Sequence, residues 1–400
     1  MFAKLALAAA STFFIAAGCY AAESDAQRPI AAAIESAILP VMQQHNIPGF
    51  AVAVTLDGKR HYFNYGVASR HTRQAVTRDT LFEVGSISKT FTATLAAYAQ
   101  ESGAISMNAY ASQYLPSLRG SSFDNISLLD LGTYASGGLP LQFPDGVSDS
   151  EKMIGYFKNW KPTFAAGTRR LYSNPSIGLF GYLAAKGMGV PFVDLMETRI
   201  FPKLGLTRTF INVPDDQMQH YAHGYTKEDK PIRVRAGLLD AEAYGVKSSA
   251  TDMIHFVEVN MKGVGLETRM QRAISATHAG YFTVGTMTQG LGWEMYAYPI
   301  ALKNLQEGNS SQMLYEANAV TRLNPPRPLQ ANVLINKTGS TNGFGAYVAF
   351  VPCRRIGVVL LANKNYPITA RVKAAFEILK ALDGQLGEES AAGASSGSKH

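Results

Sequence analysis

Cysteine is almost missing from this chain of 400 residues: there are two, Cys19 and Cys353, and the first falls in an apolar N-terminal stretch. If that stretch is cleaved on export, one thiol remains and no intramolecular disulfide can form, so the fold must rest on packing. Metal-ligating patterns are missing too. The one suggestive histidine pair, His220 and His223, sits in polar, loop-like sequence with no H-E-x-x-H and no cysteine cluster beside it, so neither metal nor cofactor is expected. Basic residues outnumber acidic ones, 37 to 30, but they are scattered in short groups such as Arg169-Arg170, Arg233-Val-Arg235 and Arg354-Arg355. No block is long enough to neutralise a phosphate backbone, which excludes a nucleic-acid partner; a modest positive field still favours anionic small molecules. Beyond the N-terminus there is neither a membrane-spanning run nor low-complexity sequence, except at the very end.

What is present begins with residues 1–22. Lys4 makes a short basic segment, "LALAAASTFFIAA" an apolar core, and "CYA" a small-residue approach to a cut near Ala21 or Ala22. This is the pattern of a secretory leader and places the mature protein in the periplasm. "AAGC" at 16–19 also approximates a lipid-attachment site, but lacks a bulky aliphatic residue three places before Cys19.

Residues 29–46 carry helical periodicity, and "GFAVAVTLDGKRHYFNYG" reads as two strands turning at Asp57-Gly58. "SKTFTATLAAYAQESG" is apolar on most faces, as suits a buried helix ending at Gly103. Short helical patterns broken by Gly and Pro fill 105–305. Strand-like runs return in "ANVLINKTGS", "GAYVAFVP" and "RIGVVLLANK", and a last helix follows. The economical architecture is α+β, with an antiparallel sheet formed by both chain ends, helices packed on it and a mostly helical insertion. The expected divisions are 23–82 with 306–384 for the sheet, 83–305 for the helical part, and 385–400 for a mobile tail. A cleft between sheet and insertion is a favoured place for a small-molecule site.

Three segments can carry chemistry there. Ser86 follows a glycine at a helix start, near free N–H groups, and Lys89 lies one turn on along the same face. Burial would lower the lysine's pKa and free its amine as a base. Tyr172 and Asn174 flank one residue in "RLYSNPS"; a phenol near ammonium groups is acidified and can trade protons near neutrality. An apolar strand leads into Lys337-Thr338-Gly339-Ser340, where the glycine lets a substrate lie against the backbone, and Lys337 and Thr338 suit a carboxylate. Each segment alone is weak: "SGSK" recurs at 396–399 and a Y-x-N at 62–64, where an ordinary tail and strand explain them.

Together and in this order, S-x-x-K, Y-x-N and K-T-G resemble the serine enzymes that recognise penicillins, and more closely the class C β-lactamases. The resemblance spans about residues 25–383 and includes "FEVGSISKTFTA", "LGTYASGGLPLQFP", "DAEAYGVKSSATDM", "QGLGWEMY" and "NKTGSTNGFGAYVAFVP". It implies a β-lactamase/transpeptidase-like fold and cleavage of the β-lactam amide of cephalosporins and penicillins through an acyl-serine at Ser86. Lys89, Tyr172 and Lys337 would manage protons and charge. Gln142, Asn174 and Tyr244 would meet the substrate's acyl side chain. Thr338, Gly339, Ser340 and Arg371, with Lys337, would meet its carboxylate and carbonyl oxygen. Cofactors are not implied, and a monomer is expected. Ile368 departs from the family, which often has asparagine there. The alternatives on the same scaffold are a D,D-peptidase that penicillins inhibit, an esterase, which usually has a degraded K-T-G, and a β-lactam sensor, which would need a membrane span.

Overall fold

In this computed structural model, residues 28–263 and 265–396 are described, with 262 and 387–396 as backbone only. The leader expected at 1–22 lies outside the described residues. The first helix, α1 (Arg28–His45), leads into strands β1 (Gly49–Leu56) and β2 (Lys59–Gly66). Their turn is the expected one: Asp57 and Gly58 both have positive φ, 53° and 85°, and Leu56 pairs with Lys59.

The late strands are β7 (Val333–Ser340), β8 (Gly345–Val351) and β9 (Ile356–Ala362), and β9 pairs with β1. Both ends of the chain thus build one antiparallel sheet. Three further strands, β3 (Gly280–Val284), β4 (Met287–Gln289) and β5 (Glu294–Ala297), join it, with β6 (Thr321–Arg327) at the edge. The order is β6-β3-β4-β5-β7-β8-β9-β1-β2. Residues 280–297 therefore belong to the sheet, not to the helical segment expected to run to 305. Glycines 285, 290 and 292 cut them into pieces too short to display a period of two.

The central strands read as continuous apolar runs because both sheet faces are covered. Phe50, Val52 and Val54 of β1 pack with Ile34 and Ile38 of α1 and with Val372 and Leu379 of the last helix, α6 (Ile368–Ser396). Ala51 and Ala53 face the other way, onto a core holding Phe256 and Val257 of α4 (Ala250–Lys262) and Phe91 of α2 (Ser88–Glu101). Ahead of α4 runs α3 (Asn174–Met188), and after it α5 (Thr268–Thr277). The tail expected from 385 is helical as far as Ser396, where α6 ends; 397–400 lie outside the described residues.

Among the described residues no single helix is long and apolar enough to cross a membrane. One polar side chain binds sheet to insertion. Asn363 Oδ1 accepts from the Gly49 N–H at 2.7 Å, while Nδ2 donates to the carbonyls of Val67 (3.0 Å) and His223 (3.1 Å). Asn363 is fully buried, so Asn363→Ala strands these backbone groups without water. Urea denaturation should show a loss of about 2–4 kcal/mol for this variant.

Candidate active site

The segment Phe82–Glu83 is a short strand, and Gly85–Ile87 forms a 3₁₀ turn before α2. Ser88 locks that turn, donating to Gly85 O at 2.6 Å and accepting from Val246 N at 3.0 Å. Ser86 is left half-buried at the mouth of the helix. Lys89 is fully buried and donates to Ser86 Oγ at 2.9 Å and to Ala243 O at 2.6 Å. Burial pulls the Lys89 ammonium down to about 8, partly opposed by the Tyr172 phenol beside it.

Strand β7 runs against this turn with almost no clearance. A Cβ on Gly339 would lie 1.9 Å from Val84 O, and one on Gly85, whose φ is +52°, would lie 2.4 Å from Ser340 N. Two glycines thus let the two backbones touch, bringing Ser86 and Ser340 side by side.

Tyr172 closes the group from the third side. Lys337 Nζ stands 5.1 Å and Lys89 Nζ 5.2 Å from its ring centroid, with the Arg170 guanidinium at 5.6 Å. Its hydroxyl is buried and has no hydrogen-bond partner among the described residues. Burial pushes the phenol up, but the charges of Lys337 and Lys89 outweigh it and bring the phenol down to about 8. The sizes agree: a full charge about 5 Å away at an effective dielectric near 20 is worth roughly 3 kcal/mol, or about 2 pKa steps per lysine. Tyr134 packs against it, ring centroids 4.7 Å apart, and burial holds that phenol well above the usual range.

Behind the lysines lies a pairing that the sequence reading did not single out. Glu294 of β5 accepts from Arg170 at 3.0 Å and faces Lys337 Nζ at 3.8 Å; all three are buried. Arg170 also donates to Gln289 Oε1 and Met313 O. The available signal was an acid inside the apolar run "WEMY", which a buried strand tolerates only beside cations.

Asn174 opens α3, with Ser173 as its N-cap, and its buried Oδ1 has no partner among the described residues. Its N–H donates to Leu141 O at 3.0 Å, which brings exposed Gln142 alongside. Ser86, Gln142, Asn174, Tyr244 and Ser340 share the lining of one cavity of about 690 Å³. Lys337, Thr338, Gly339 and Ile368 line the adjoining recess at Ser86.

Arg371 departs from its expected place. It is fully buried behind β7, and its guanidinium is occupied by Gly339 O, Ser340 Oγ, Tyr366 O and Asn365 Oδ1. It holds the end of the strand and has no donor turned to a substrate carboxylate. Asn365, exposed and lining the larger cavity, was not foreseen.

This arrangement, a serine served by a buried lysine and an acidified tyrosine beside a glycine-lined strand, defines a serine acyl-transfer site. The β-lactamase family model matches residues 34–383, and the chain belongs to the β-lactamase family. A β-lactamase of Pseudomonas fluorescens is 60% identical over 350 residues, covering 88% of this chain and 98% of the relative. Within the family the likeness is to class C. The crystal structure of a class C β-lactamase in complex with cefoxitin superposes with a TM-score of 0.87 at 49% identity, over 90% of this chain and 100% of that one. The β-lactamase/D-alanine carboxypeptidase of Pseudomonas syringae reaches 0.86 at 49% identity, over 88% and 98%.

The cation pair over Tyr172 can be tested directly. With ¹³Cζ-labelled tyrosine, the resonance lost in Tyr172→Phe should titrate near 8 in the native protein. In Lys337→Met it should move toward the ordinary tyrosine value near 10, because a positive charge that favours the phenolate is gone.

Proposed function

We propose that the protein is a class C serine β-lactamase that hydrolyses the amide of cephalosporins and penicillins. The observation that carries this reading is the contact of Lys89 with Ser86 at 2.9 Å beneath a phenol whose ionisation two lysines favour. Ser86 Oγ attacks the lactam carbonyl carbon and its proton passes to the Lys89–Tyr172 pair. The oxyanion is held by the Ser86 and Ser340 N–H groups, which the Gly85–Gly339 approach brings together. As the C–N bond breaks, the pair returns the proton to the lactam nitrogen. The Tyr172 phenolate then takes a proton from water, which attacks the ester carbonyl, and Ser86 leaves with a proton.

Lys337 and Thr338 meet the substrate carboxylate, and Arg371 supports them by fixing Gly339 and Ser340. Asn174, Gln142 and Tyr244 receive the acyl side chain. Ile368, at the recess where relatives often carry an amide, leaves carboxylate recognition to Lys337 and Thr338. Soluble action as a monomer in the periplasm belongs to the same reading, supported by the leader-like pattern at 1–22.

The likeness to a β-lactamase/D-alanine carboxypeptidase favours one second reading: cleavage of D-Ala-D-Ala peptides by the same groups. A chromogenic cephalosporin, followed by mass spectrometry of the protein, separates the two. Rapid multiple turnover is expected. A stoichiometric burst with a long-lived adduct on Ser86 would make it a peptidase instead. Ser86→Ala should abolish turnover and remain folded by circular dichroism; retained turnover would sink the mechanism. In the intact enzyme, turnover should climb with pH toward a shoulder near 8, belonging to the coupled Lys89–Tyr172 pair. Tyr172→Phe should remove that limb and about 10²–10⁴-fold of the rate.

A further inference from the structure

The 690 Å³ cavity beside Ser86 has a lopsided charge. Its lining includes two guanidiniums, Arg233 and Arg235, and no carboxylate. Only one of these cations is occupied. Arg233 lies 4.0 Å over the Tyr221 ring and donates to Tyr221 O and Ala222 O, which pins it to the body of the protein. Val234 is pinned as well, its N–H donating at 2.7 Å to the buried carboxylate of Glu83, three residues before the nucleophile. Upstream, Asp229 of the same segment is held by Lys364 at 2.6 Å and Arg70 at 2.9 Å. Arg235 comes next. It is exposed and makes no hydrogen bond or ion pair among the described residues. A fixed loop therefore presents one unpaired cation to the cavity in which Gln142 and Asn174 stand.

We propose that Arg235 forms a second anion subsite, apart from the Lys337–Thr338 end, which selects β-lactams whose acyl side chain ends in a carboxylate. This rests on the hydrolysis reading above and names the substrate class within it. The side chain leaving the amide at Asn174 and Gln142 enters a cavity whose only unpaired charged group, among the described residues, is positive. A guanidinium there gains a charge-assisted pair with a carboxylate and nothing from an alkyl end. Anchoring of Arg233 and Val234 holds the subsite in place before the substrate arrives.

The test uses the whole enzyme and two compounds with one nucleus, glutaryl- and pentanoyl-7-aminocephalosporanic acid, which differ only at the carboxylate of the arm. The ratio of their kcat/KM values should fall about tenfold in Arg235→Ala, chiefly through KM, and as far in Arg235→Gln, which keeps length without charge. The native ratio should also shrink as salt is raised. An unchanged ratio in both variants, or a ratio kept by Arg235→Gln, would overturn the subsite while leaving hydrolysis standing. A native enzyme that turns over neither compound would overturn the hydrolysis reading and this one with it.

Discussion

The site depends on one buried phenol held among cations. Lys89, Lys337 and Arg170 surround Tyr172, and Glu294 is the one carboxylate set among them in the described residues. Taking three cations out of water costs several kcal/mol each, and a single acid does not balance them. Ionisation of Tyr172 would supply the missing negative charge, so the cluster that is costly to bury is also what makes the phenol acidic. Arg170 takes little part in that pull because Glu294 holds it closely. The two lysines, near equal distances from the ring, do most of it.

Much of the architecture serves to keep those charges in place. Lys89 comes from a helix buried on nearly every face, Lys337 from a strand in mid-sheet, and Tyr172 from the short connection before α3. The three supports meet only because α2 begins against β7, where Gly85 and Gly339 leave room for backbone but for no side chain. Arg371 braces the strand from behind and Asn363 ties the sheet to the insertion. The sheet can bear this because both of its faces are packed. Glu83 extends the same economy outward: it sits just before the nucleophile, accepts from Tyr221 at 2.7 Å, and anchors the loop that bears Arg235.

Much of this was readable along the chain. The Asp57-Gly58 hairpin, the buried helix after Ser86 and the strand ending in Lys337-Thr338-Gly339-Ser340 are local patterns, and local patterns follow from backbone sterics and side-chain periodicity. The strands between 280 and 297 escaped because glycines break their period. Glu294 escaped because one acid in an apolar run declares that it has a partner without saying which. Arg371 was misplaced: a cation near the right loop in sequence turned out to stand behind the strand, with its donors already used.

The sequence by itself determined the identities and order of the reactive groups, since S-x-x-K, Y-x-N and K-T-G are statements about chemistry and local geometry. Only the tertiary structure decided what those groups can do. Whether Lys89 is a base depends on its complete burial, and whether Tyr172 ionises near neutrality depends on two lysines from distant parts of the chain standing about 5 Å from its ring. Both are matters of dielectric and distance, which no linear spacing encodes.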